Sequence, residues 1–511
     1  MFTIPLLFAA LLGFSILAFC LQTVRIPHRN LFFLMLSAPV GLAFCSLIVF
    51  WAYVIGGKEG KLLSLLLAYL IMGWLLIRLL RNPGFHFFTY SHSPDVFSGK
   101  NFKSWFQIVR EGSWKNLIAY LKPPRFSLIT KNFLTEMFWI KISTGIALIF
   151  FIFALATALN IYASQAVWNV YGGWDTKFFW HVKAKFFCRS PEEWQGMFSP
   201  LINWTHPDYP LLLPGSVAWG WIWAGKELLI WPVMVMVIFA FATAALILWH
   251  FSVLGSMGTG LWAASFLLFM HIYQFAVYEQ YPTILLCFFI TAAAILLIHA
   301  FETKEKKLFL LAGLLAGFTA WTKLEGLFFI IWISLVFIFF LALRRDCVGH
   351  ERKHFVFQFA LGCLIPLSAF LYLKYILAPH GEYWGSGRAI QDYLRMLLFD
   401  GPKTKYILSS YYTFAIKPTH WNHLWLFFSA AVIYRILFFR QLKTPGTAWI
   451  PAILVFLIEF GYFFILHVSP HNARWQIETA FTRLLLHASV LAVVFTFETF
   501  TLGKDRGLTP A

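Results

Sequence analysis

Asp175, Lys323, Glu325 and Arg483 are charged residues set among strongly apolar surroundings. Asp175 stands in Gly172-Gly173-Trp174-Asp175-Thr176-Lys177-Phe178-Phe179-Trp180-His181-Val182-Lys183-Ala184-Lys185-Phe186. Lys323 and Glu325 fall in Trp321-Thr322-Lys323-Leu324-Glu325-Gly326, between two apolar stretches, and Arg483 lies just inside another. A carboxylate can take the proton of an attacking hydroxyl, and cations can stabilise a departing phosphate. Lysine suits a phosphate as a point charge, and arginine grips one through forked hydrogen bonds. Charges this close to hydrocarbon are costly, usually face a protein cavity and mark a functional path. Each also has a plainer reading. Asp175 can cap the following helix, whose dipole keeps a carboxylate ionised. Lys323 and Glu325 can seal a tight turn as a mutual pair, and Arg483 can pair with Glu478.

Further polar groups belong to the same kind of loop. Asn203-Trp204-Thr205-His206-Pro207-Asp208-Tyr209-Pro210 places two prolines around an acid, a rigid turn that can hold His206 and Asp208 as a donor site, as a brace for Asp175, or simply as structure. Tyr278-Glu279-Gln280-Tyr281-Pro282 adds Gln280, and His471-Asn472-Ala473-Arg474-Trp475-Gln476-Ile477-Glu478 adds Arg474 as a second candidate for phosphate. Trp174, Trp204, Tyr209, Tyr383 and Trp384 could stack on sugar faces, although such residues are common at membrane interfaces in any case. Asn203-Trp204-Thr205 is also a glycosylation sequon, a match close to chance. The six cysteines form no CxxC pair, so neither a disulfide framework nor a zinc site is indicated, and no metal ligand set is expected.

The elements that must position these residues are membrane helices. Of 511 residues, 60% are hydrophobic and 12% charged, far from the balance of a soluble domain. Leu31 to Val54, Phe138 to Tyr162 and Ile230 to Trp249 each exceed the roughly 18 apolar residues that cross a bilayer. The predicted spans are 3–21, 31–55, 61–79, 138–163, 228–249, 253–276, 282–300, 308–322, 325–343, 355–378, 421–440, 448–467 and 482–501, about thirteen transmembrane helices in an all-α integral membrane protein. Leu211 to Ala224 is apolar but short and interrupted by Pro214, Gly215 and Gly220, so it is expected to be re-entrant. The formal net charge of +18 does not indicate nucleic acid, because the basic residues lie between spans. Arg25, Arg29, Lys304, Lys306, Lys307, Arg344, Arg345, Arg352, Lys353, Lys443, Lys504 and Arg506 mark alternate loops as cytoplasmic, with eight more in segment 81–136. The amino terminus is then outside and the carboxyl terminus inside, and every candidate above falls on the outer side.

Three longer segments remain. Segment 81–136 mixes Trp105, Phe106, Trp114 and Leu117 with Lys103, Arg110 and Lys115, as a helix on an anionic leaflet would. The others are outer loops 164–227 and 379–420. In the first, Phe178, Phe179, Val182 and Phe186 recur at helical spacing, which predicts an amphipathic helix along the interface with its lysines at headgroup height. The predicted organisation is a three-span module over 1–80, the basic segment 81–136 and a transmembrane core over 137–505.

From about Phe138 to Arg483 the order of motifs resembles bacterial membrane glycosyltransferases of the C-type fold (GT-C), relatives of the protein O-mannosyltransferases and of the aminoarabinose transferase of lipid A. The shared marks are an outer Trp-Asp before an amphipathic stretch ending in Lys-Ala-Lys, then His-Pro-Asp-Tyr-Pro with a leucine run, then Thr-Lys-x-Glu-Gly on a later outer turn. The resemblance implies a polyprenyl-phosphate sugar donor, an acceptor that is a glycolipid, polysaccharide or protein, inversion at the anomeric carbon and a site at the outer, periplasmic face of the bacterial inner membrane. It implies Asp175 as base, Lys323 as the donor-phosphate residue with Arg474 and Arg483 matching by position, and His206 and Asp208 as the second outer motif; Trp174, Gln280 and Glu325 are further candidates for substrate binding. Related chains often carry Tyr-Ala-Asp-x-Pro where this one has Tyr-Glu-Gln-Tyr-Pro. Gln280 thus replaces an acid, which leaves a divalent metal cofactor as an open question. A transporter or flippase of lipid-linked sugars would use similar cations without needing Asp175, but should show polar groups through the full membrane depth.

Overall fold

The computed structural model describes residues 3–22, 24, 26–81, 128–379, 401–439, 445–469, 472–499 and 501, with backbone alone for 128–141 and 468. Among these the chain is all helical. The principal helices are α1 (Thr3–Leu21), α2 (Arg29–Gly56), α3 (Gly60–Leu80), α4 (Leu128–Trp168), α5 (His181–Arg189), α6 (Leu212–Ala224), α7 (Ile230–Val253), α8 (Met257–Phe269), α9 (His271–Tyr278), α10 (Thr283–Thr303), α11 (Lys306–Thr322), α12 (Glu325–Leu343), α13 (Gly349–Tyr372), α14 (Gly401–Ile416), α15 (Leu424–Leu437), α16 (Ile450–Val468) and α17 (Ala473–Thr499). The basic segment 81–136 falls largely outside the described residues, as do Tyr383, Trp384 and His471.

Among the described residues nine apolar helical stretches are long enough to cross a membrane, or ten if one bent pair is a single span. The chain is therefore a multi-pass membrane protein, with fewer full-length spans than the thirteen expected. Three local causes account for the difference. One stretch, Arg29–Leu80, is 52 residues long, and as a single rod it would reach about 78 Å against a hydrocarbon core of about 30 Å. Its partner α1 shows that it is a hairpin. Phe14 of α1 meets Phe33, and a side chain on Gly41 would collide with the Ala9 carbonyl, so α1 and α2 run antiparallel at close approach. Phe8 meets Tyr69 and Phe19 meets Trp74, so α1 and α3 run parallel. The second cause is the bend of 60° between α8 and α9, where Met270 takes an extended conformation. The third is that α11 and α15 are short, at 17 and 14 residues.

α6 enters the bundle without crossing it. Before it, the Tyr53 hydroxyl of α2 donates to the Phe187 carbonyl. Within it, Ser216 donates to the Leu42 carbonyl at 3.2 Å, and the Leu211 carbonyl at its start accepts from Ser46 at 2.9 Å. After it, Trp231 at the head of α7 donates back to the Ser216 carbonyl at 2.9 Å, and α7 then runs to the opposite end, where Trp249 donates to Pro27 at 3.0 Å. The chain arrives at α6 and leaves it from the same end of the bundle, as its interrupted apolar pattern predicts. These bonds also tie α1–α3 into the rest of the fold, as does the bond from Trp321 of α11 to Ser46 at 3.0 Å.

Candidate functional site

The loop after α4 is clamped onto the turn after α9. Gly173 N–H donates to the Glu279 carbonyl at 3.0 Å, and the Thr176 hydroxyl sits between the carbonyls of Glu279 (2.7 Å) and Gln280 (3.1 Å). In return the Gln280 amide donates to the Val170 carbonyl at 3.0 Å, and Asn169 donates to the Glu279 carboxylate at 3.1 Å. Burial pushes the Glu279 carboxyl above the usual carboxylate range, with the Lys177 charge opposing it. Gln280 is buried in a left-handed conformation (φ 59°), so here it holds backbone in place. A Cβ at Gly173 would lie 2.2 Å from a Glu279 carboxylate oxygen and 2.9 Å from the Tyr281 hydroxyl, so a larger residue there would displace both side chains.

The clamp presents Asp175 to α17. Its carboxylate pairs with the Arg483 guanidinium, which also donates to the Thr479 carbonyl at 3.1 Å and lies 4.8 Å from the centre of the Tyr281 ring. Asp175 makes no side-chain cap bond to the helix that follows, so the expected capping role is replaced by this ion pair. Lys323 and Glu325 pair across their turn at 2.8 Å. The two pairs belong to one electrostatic site. Glu325 acts on Arg483, and both Lys323 and Arg483 act on the imidazole of His487, one turn further along α17. Two cations face two carboxylates, so the site at rest carries no net charge from these four residues.

Beyond His487 the polar groups continue inward. The Tyr462 hydroxyl of α16 is 2.6 Å from His487 Nδ1. Glu459, one turn before Tyr462, buries both carboxylate oxygens without a hydrogen-bond partner, and the Tyr411 hydroxyl beside it donates to its main-chain carbonyl at 2.8 Å. Sequence reasoning missed Glu459. The signal was available, since it is the one acid in the apolar run 450–468, and an ionisable residue inside a span is a candidate by default.

His206 and Asp208 form a separate set. Asp208 pairs with Lys374 at 2.6 Å and not with any group around Asp175, so it does not brace the proposed base. His206 adopts the left-handed conformation (φ 51°), stacks on Tyr209 with centroids 4.5 Å apart and meets Phe179 edge-on at 4.7 Å. The turn is held by Lys183, which donates to the carbonyls of His206 (2.6 Å) and Tyr209 (3.3 Å). Lys183 is fully buried, contrary to the headgroup position expected for it. The reason is local: Thr176–Trp180 is a wide π turn ahead of α5, which rotates the helical pattern so that Thr176, Trp180, His181, Lys183, Ala184 and Phe187 face inward. Burial lowers the Lys183 pKa to about 7, with Asp208 opposing the shift and Lys374 adding to it. Trp174 and Phe178 are left outward, packed on each other at 5.0 Å, with Trp204 5.9 Å from Phe178.

Arg474 is not part of the site. It pairs at 2.8 Å with Glu478 on the exposed face of the first turns of α17, nine residues before Arg483 or about 13 Å along the helix. Glu478, once a candidate partner for Arg483, is thereby occupied. No group of three His, Cys, Asp or Glu side chains placed to hold a metal ion occurs among the described residues. Compared with known proteins, no family model, no curated protein and no solved structure matches this chain.

Proposed function

We propose that the chain is a membrane glycosyltransferase that moves a sugar from a polyprenyl-phosphate donor to an acceptor at the outer face of a bacterial inner membrane, with inversion. The observation that carries this reading is that the Asp175–Arg483 and Lys323–Glu325 pairs, from three separate parts of the chain, lie within electrostatic reach of one another at one end of the bundle. Asp175 takes the proton of the acceptor hydroxyl as its oxygen bonds to the anomeric carbon, and the bond from that carbon to the phosphate oxygen breaks with its electron pair on the lipid phosphate. Lys323 and Arg483 hold that anion as it leaves, so a second acid is not needed. In this reading Trp174, next to Asp175, and Gln280, in the clamp that holds that loop, position the acceptor, Glu325 holds Lys323, and His206 and Asp208 form a further substrate-binding turn. The acceptor is a glycolipid, a polysaccharide or a protein.

Membrane sidedness supports the same reading. The loops at the other end carry Lys304, Lys306, Lys307, Arg344, Arg345, Arg352 and Lys353, the bias expected of a cytoplasmic face. With α1, α2, α3, α4, α7, α8–α9, α10, α11, α12, α13, α15, α16 and α17 each taken as a pass, the amino terminus lies outside and the carboxyl terminus inside. The resemblance to C-type glycosyltransferases fits this topology.

The test is reconstitution of the purified protein in liposomes holding polyprenyl phosphate with a labelled sugar, supplied with an envelope extract as acceptor. The transferase reading expects the label to leave the donor and appear in a new product. Label that changes leaflet while still attached to its lipid phosphate would identify a flippase instead.

A further inference from the structure

The polar file that starts at Arg483 does not stop at the phosphate-binding cations. It passes to His487 one turn along α17, across to Tyr462 at 2.6 Å, and back one turn of α16 to Glu459. The carboxyl of Glu459 ends this file with both oxygens buried and no hydrogen-bond partner. The Tyr411 hydroxyl beside it donates to the Glu459 main-chain carbonyl at 2.8 Å and lies close enough to the carboxyl to interact with it as well. His487 Nε2 is likewise buried without a partner. In the tautomer whose Nδ1 accepts from Tyr462, that nitrogen is a donor.

A buried carboxyl with only a neighbouring tyrosine hydroxyl beside it is a costly group for a helix bundle to keep, and a core leucine at that position would remove the cost. Its orphan atoms also have a definite chemistry. They are two acceptors and one donor, adjoining the cations assigned to a phosphate, which is the complement of a hydroxyl- or amino-bearing ring attached to that phosphate. We propose that Glu459, with Tyr411, Tyr462 and His487, is the subsite that binds the sugar of the lipid-linked donor. This proposal rests on the transferase reading and adds to it the group that selects sugar-bearing donor over the bare carrier.

The test is binding to the full-length protein in nanodiscs, comparing bare polyprenyl phosphate with polyprenyl phosphate carrying glucose, mannose or an amino sugar. The wild type should bind at least one sugar-bearing lipid about tenfold more tightly than the bare one, the worth of one or two good hydrogen bonds. Glu459→Gln should shrink that preference, and Glu459→Leu should abolish it while affinity for the bare lipid stays at the wild-type value. Thermal unfolding of each variant checks the fold, and Glu459→Leu should unfold no earlier than the wild type. Wild-type preference retained in Glu459→Leu overturns the subsite and leaves the transferase reading standing, as does an equal loss of affinity for both kinds of lipid. Failure of the wild type to bind any of these lipids overturns the transferase reading itself.

Discussion

Arg483 and Asp175 lie 308 residues apart in the chain and are ion-paired at one end of the bundle. A guanidinium held by a carboxylate has fewer donors left for a phosphate. On the proposed mechanism, a donor phosphate that takes over the fork of Arg483 leaves Asp175 free to act as the base. Removal of the Asp175 charge should therefore separate binding from turnover. Asp175→Asn is expected to lose about 10²- to 10⁴-fold in transfer, the usual worth of a general base, while binding bare polyprenyl phosphate about threefold or more tightly than the wild type. Weaker lipid binding in Asp175→Asn would show that the carboxylate serves only to position the arginine.

The second pair follows the same logic. Lys323 is held by Glu325 at 2.8 Å, with both side chains mostly buried. Lys323→Ala should weaken binding of bare polyprenyl phosphate by about tenfold, and Glu325→Gln should strengthen it, since the lysine then has no competing anion. Equal weakening in both variants would mean that the pair matters only as a closed turn. Titration of the lipid into each variant reads this directly.

Lys183 gives a pH dependence with a defined sign. Its folded pKa is about 7, against 10.5 for the free side chain, because burial disfavours the charge. Between about pH 7 and 10.5 the unfolded chain holds a proton that the folded chain has released, so stability rises with pH across that window. Below about pH 7 both states are charged and the burial cost is fully present. The neutral amine still has the protons to donate to both His206 and Tyr209. The thermal midpoint in detergent should climb from pH 7 to 9 in the wild type, and Lys183→Met should climb less. Parallel curves for the two proteins would assign the effect elsewhere.

Gly173 tests the clamp without replacing a charged group. A methyl there meets Glu279 and Tyr281 at 2.2 and 2.9 Å, whereas a methyl at Gly145, on an outward stretch of α4, meets nothing within 4 Å. Gly173→Ala should reduce transfer by at least about tenfold through displacement of Asp175, and Gly145→Ala should leave it unchanged. Comparable activity in the two variants would mean that the loop can shift without moving the base.

How far the sequence could be read depended on whether a feature is local. Long apolar runs need only hydropathy to find them, and the interrupted stretch at Leu211 to Ala224 was legible because prolines and glycines at such spacing do not make a full span. The bend at Met270 carries no proline or glycine to mark it, so 253–276 reads as one straight helix. Lys183 was misplaced because a π turn adds a residue that no periodicity count contains. Asp175 and Arg483 were each visible as a costly charge, but their contact depends on how loop, turn and α17 converge. Arg474, with the same residue type nine positions earlier, shows that chemistry alone does not say which arginine reaches the site.

The most direct measurement is transfer of labelled sugar from a polyprenyl-phosphate donor in membranes with matched amounts of wild type, Asp175→Asn and Lys323→Ala. The predicted result is a labelled product with the wild type, loss of most of it with Lys323→Ala and nearly all of it with Asp175→Asn, the variants remaining folded. Wild-type transfer by Asp175→Asn in a working assay would contradict the assignment of the base, and absence of any labelled product from the wild type across donors and acceptors would contradict the transferase itself.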